Sequence, residues 1–226
     1  MPEPHDMQNT TRNRPRTRGI MPDSLRRESV LSLDIRIRNL IDEMRACIAS
    51  NTAINMSTPP HREITEALHA LVYEQGETTT LKIKYNDNSL GKPFPIHALW
   101  LPSQRLLWKE DQALQVGTLT FRHVDYDDYV DVYLIRDRET RSLSNAGIEE
   151  LAYLRMNEIL SDSRLAGESY LALYQTGLEP LVVGMYRAVV DHLRQRRQAG
   201  LGQLVVRPIF FVSGHGRRTA SNNLWG

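Results

Sequence analysis

His123, Asp125 and Asp127 stand at i, i+2 and i+4, with Asp128 and Asp131 close behind. On a strand, where successive side chains alternate, that spacing sends the first three to one face. Imidazole with carboxylates is a donor set for manganese or zinc; calcium prefers six to eight oxygen ligands. The calcium-loop pattern also fails, because Tyr129 stands where a third oxygen ligand would be and no glycine follows. A metal held by His123, Asp125, Asp127 and Asp128 would activate water for attack on a phosphoester, so a metal-dependent hydrolase or nuclease is one functional expectation. Hairpin corners gather aspartate as well, since its carboxylate accepts local backbone hydrogen bonds.

Other chemistry-bearing residues fail their context. Gly214-His215-Gly216-Arg217-Arg218-Thr219 follows a predicted strand, but seven residues after Thr219 leave no room for the helix and return strand of a dinucleotide unit. Its glycines and the pair Arg217 and Arg218 still suit an anion. Gly91-Lys92 lacks the upstream glycine of a phosphate loop, and Pro93 blocks the helix that would follow. There is no G-x-S-x-G elbow, and Cys47 lies in helical phase with Met44 and Ile48, as a buried thiol would. His69 and His192 fall inside predicted helices. Glu149 and Glu150 begin another, where the helix dipole alone accounts for carboxylates.

The N-terminal segment is more distinctive: Arg12, Arg14, Arg16 and Arg18 occupy every second position with no intervening acid. In extended chain the four guanidinium groups would lie on one side about 6.6 Å apart, a spacing able to follow a phosphate backbone or an acidic protein groove. Pro15 disfavours helix there. Contact with a polyanion or nucleic acid would be strongly salt dependent and carry little sequence preference.

The elements that must position these residues follow from hydrophobic period. Val30, Leu33, Ile37, Leu40, Ile41, Met44 and Ile48 recur at threes and fours, predicting a long helix from about Asp23 to Ser50. Asn51 to Ser57 reads as a polar link. Thr58 and Pro59-Pro60 then open a second helix, with Ile64, Ala67, Leu68, Leu71 and Val72 inward and Gly76 as its stop. The period next switches to two: Leu81, Ile83 and Tyr85 alternate with Lys82 and Lys84, and Asn86 to Gly91 supplies turn chemistry. Further strands are predicted at Ile96–Leu101, Arg105–Lys109, Leu114–Val124 and Tyr129–Ile135. Short links between them imply antiparallel pairing. A bulge at Gly117 would account for an inward phase that changes from Leu114 and Val116 to Leu119 and Phe121. Helices are expected around Ile148 to Ile159, from Arg164 to about Thr176, and from Pro180 to the glycines at 200 and 202. Gln203 to Val212 is a last strand, which Pro208 makes an edge or irregular one.

The whole is 226 residues with 41% hydrophobic and 24% charged, ordinary for a globular chain, and the formal net charge of +1 creates no general attraction to nucleic acid or membrane. One cysteine excludes an internal disulfide and a cysteine-built zinc site. No apolar run resembles a secretory signal or reaches the roughly 20 residues that cross a bilayer. The expected architecture is therefore one α+β domain at 24–212, an antiparallel sheet of about five to six short strands covered by N-terminal and C-terminal helices. A flexible arm (1–23) precedes it and a polar tail (213–226) follows. The functional expectation placed first is a non-enzymatic assembly subunit, as in a viral, secretion or nucleoprotein complex, with no cofactor, holding other protein subunits or copies of itself through Arg12, Arg14, Arg16, Arg18, Arg217 and Arg218. It is expected in the cytoplasm or within a macromolecular assembly, without membrane contact.

Overall fold

A computed structural model describes residues 23–56, 61–99, 108–119, 130–175, 179–212 and 216–219. Its four helices and two sheets make an α+β architecture. Helix α1 (Asp23–Ala49) sends Ile37, Leu40, Ile41 and Met44 into the core at the predicted spacing. Helix α2 (His61–Tyr73) buries Ile64, Ala67, Leu68, Leu71 and Val72. The polar link between them contains a short strand that hydrophobic period did not predict. Ile54 of β1 (Ala53–Asn55) is 1% exposed, and β1 runs parallel to β2 (Thr79–Lys84). Strand β3 (Phe94–Ile96) pairs antiparallel with β2 and completes a three-stranded sheet in the order β1-β2-β3. Beyond β3, His97 N–H and Leu99 N–H donate to the carbonyls of Leu71 and Val72 at 2.9 and 2.8 Å, closing the end of α2.

The second sheet corrects the expectation of a single antiparallel sheet. Strands β4 (Ala113–Leu119), β5 (Val132–Ile135), β6 (Ser169–Gln175) and β7 (Leu204–Val212) are mutually parallel, and β8 (Gly216–Thr219) adds an antiparallel edge in the order β5-β4-β6-β7-β8. The physical reason is the length of the return between β4 and β5. With strand ends at Val124 and Tyr129 the corner is too short for anything but a hairpin; with the observed ends at Leu119 and Val132, residues 120–131 lie between, enough for a parallel return. Strand β8 likewise forms within the segment expected to be a polar tail.

Residues Arg164 to Thr176, expected to be helical, contain a short 3-10 turn (Ser163–Leu165) and then β6, the centre of the sheet. Tyr170 to Tyr174 are all at most 2% exposed. Leu171 and Leu173 face a core shared with α3 (Asn145–Leu160) and α4 (Glu179–Gln198), while Ala172 and Tyr174 meet Trp108, Ala113, Val130 and Ile209 on the opposite face. A strand buried on both faces shows no alternation.

The bulge expected at Gly117 is absent, for the pairing runs in register through Ala113↔Tyr170 to Gly117↔Tyr174. Gly117 is there for space: a Cβ on it would lie 2.6 Å from the Tyr133 ring. Gly184 has a similar role between helices, since a Cβ on it would stand 2.0 Å from the Glu149 carbonyl oxygen, and α3 and α4 cross at that point. Strand β7 is not the edge strand that Pro208 suggested, since it lies between β6 and β8; Pro208 is accommodated because the pairing with β8 begins only at Ile209, the next residue. Among the described residues no helix is long and apolar enough to cross a membrane.

Candidate functional site

The densest buried polar constellation centres on Glu149, whose placement the helix dipole does not explain. It is fully buried in α3, and its carboxylate accepts from the Tyr85 hydroxyl (2.7 Å), the Lys92 backbone N–H (3.1 Å) and Arg187 Nη1 (2.5 Å). Gly91 makes room for it, because a Cβ there would fall 2.2 Å from Glu149 Oε2. Arg187, on α4, stacks at 4.5 Å over the Tyr153 ring and also reaches Glu150 at 3.4 Å. The Tyr153 hydroxyl in turn donates to Asp191 at 3.0 Å. Burial, then the charge of Glu149, pushes the Tyr85 hydroxyl well above the usual phenol range, so it stays a donor.

The turn that carries Gly91 also seats the start of α3. Asp87 accepts from the Asn145 N–H at 2.8 Å, Ser89 Oγ from the Ala146 N–H at 3.0 Å, and Ser144 Oγ from the Gly147 N–H at 3.2 Å. These are orphan donors of a helix N-terminus, filled here by the neighbouring sheet's turn. The Asn145 N–H, followed by Ser89, holds the Asp87 carboxyl below its ordinary range. The network thus locks the three-stranded sheet to α3 and α4, with each carboxylate oxygen of Glu149 engaged.

The histidines are divided by environment. His69 packs between Tyr73 (5.0 Å) and Tyr186 (5.7 Å, edge-on), and burial pushes it down to about 3, so its ring is neutral at physiological pH. His192 is held low by burial and then by Arg196, with its Nε2 buried and unpartnered. His97 was not singled out by spacing. It adopts a left-handed φ of 54°, with Nδ1 3.1 Å from the Glu77 carbonyl and Nε2 3.2 Å from Glu74, which also binds Arg45. Gly76 opposite has φ 155°, and a Cβ there would meet His97 Nδ1 at 2.7 Å. Cys47 is half-buried against the core, more open than expected.

Of the residues singled out by sequence, Arg12, Arg14, Arg16 and Arg18 and the set His123, Asp125, Asp127 and Asp128 lie outside the described residues. Arg217 and Arg218 belong to β8, opposite Phe211 and Phe210. Among the described residues, no group of three or more His, Cys, Asp or Glu is arranged to hold a metal ion.

The strand order still marks a place for a ligand. β4 and β6 are neighbours pointing the same way, yet the chain leaving β4 goes to β5 on one side and the chain leaving β6 goes through α4 to β7 on the other. In parallel sheets the carboxyl edge at such a reversal is where ligands bind. Comparison with protein-family models, curated proteins and solved structures finds no match.

Proposed function

We propose that the chain is a non-enzymatic interaction or assembly protein that holds neighbouring subunits, copies of itself or other proteins, through its terminal segments, with Arg12, Arg14, Arg16 and Arg18 contacting an acidic surface. The observation that supports this reading is the attachment of the arginine segment. It leads directly into α1, a helix of 27 residues, so the segment is tethered to a long helical element, as suits a contact with a neighbour. Removing residues 1–22 is expected to leave the urea transition unchanged while weakening self-association or polyanion binding by about tenfold or more, with the larger loss at low salt. Sedimentation and a binding titration at two salt concentrations measure this; a truncated chain that associates and binds like the full one overturns the proposal.

A second reading, a metal-dependent hydrolase or nuclease acting on a phosphoester, is favoured by one topological fact. His123, Asp125, Asp127 and Asp128 follow Leu119, the last residue of β4, by four to nine positions, and β4 ends at the reversal point. Asp125→Ala with Asp127→Ala is expected to abolish manganese-stimulated cleavage of a phosphodiester probe and leave the melting temperature unchanged. Cleavage equal in the wild type and the double variant removes this reading.

A further inference from the structure

We draw no further inference here: the strongest candidate, the row of cations and rings on the face of the second sheet away from α3 and α4, in which Lys109, Tyr170, Trp108 and Arg207 follow one another at 5.7, 5.8 and 4.7 Å, carries none because these groups are engaged with one another and nothing in the structure shows what covers that face.

Discussion

Replacing Arg187 by alanine is expected to cost the fold about 3–5 kcal/mol, because it strands a charge in the interior and does not merely remove a contact. The Glu149 side chain is fully buried and that of Arg187 is 11% exposed, so neither charge is well solvated once the pair is formed. In the variant Glu149 keeps two neutral donors, the Tyr85 hydroxyl and the Lys92 N–H, but loses its cation. The reverse change is milder. Arg187 has a second carboxylate in Glu150, 42% exposed, and an aromatic face in Tyr153, so Glu149→Gln leaves the guanidinium with partners. Urea unfolding at constant slope measures both changes. Replacing the set together, Glu149→Leu, Arg187→Met and Tyr85→Phe, is expected to recover much of the loss, because apolar groups of similar size leave nothing unpaired. Equal stability of the Arg187→Ala protein and the wild type would show that the pair contributes nothing to locking the two sheets together.

That network also shows where reading the sequence runs out. Helix α1 is legible because it buries one stripe and exposes the rest, Ile37, Leu40, Ile41 and Met44 repeating the 3.6-residue period directly, whereas α2 and the first half of α4 are buried nearly all round and are legible through the prolines and glycines that bound them. Strand β2 is legible by the same logic at period two, with Leu81 and Ile83 buried between exposed lysines. Strand β6 is not, because layers on both faces remove the alternation, and a run of five apolar and aromatic residues, Tyr170 to Tyr174, fits a short buried helix as well. Direction in the second sheet is not legible for a related reason: a difference of a few residues at the ends of β4 and β5 separates a twelve-residue return from a hairpin. Glu149 has no local signature at all. Its partners Arg187 and Tyr85 lie 38 and 64 positions away, and no spacing rule connects them. Conversely, the residues that sequence favoured, the four arginines of the arm and the His123–Asp128 segment, stood out through local repetition, which needs no packing to be noticed and is no measure of burial.

Arg196→Met is the second substitution expected to be severe, at about 2–4 kcal/mol, by a different mechanism. Arg196 is 4% exposed on α4, yet its guanidinium meets only backbone carbonyls: Leu165, Gly167 and Gly202. Those carbonyls belong to the segments that enter β6 and β7, so one side chain holds the amino ends of two central strands beside the end of α4. The backbone there is equally committed. Gly200, with φ 65°, donates to the Arg197 carbonyl at 3.2 Å and Leu201 to the Arg196 carbonyl at 2.9 Å, the paired closure of a helix end in which glycine supplies the left-handed residue. A Cβ on Gly202 would lie 2.7 Å from the Glu168 N, so the two segments touch. Methionine relieves the cost of burying a cation but takes the guanidinium from the Gly202 carbonyl and leaves Leu165 and Gly167 only the Ser169 hydroxyl, at 3.4 and 3.0 Å, and at about 1–3 kcal/mol for an orphaned group the second effect wins. Arg196→Lys should fall between, since an ammonium carries charge and three donors but lacks the planar fork that spans carbonyls of separate loops. The loss should be local before it is global: hydrogen exchange is expected to quicken first at Ser169, whose N–H donates to the Gln203 carbonyl at 3.0 Å, and at Leu201, ahead of the amides in the middle of β6. Equal stability of the lysine and methionine variants would show that side-chain packing, not the hydrogen-bonding fork, holds these ends together.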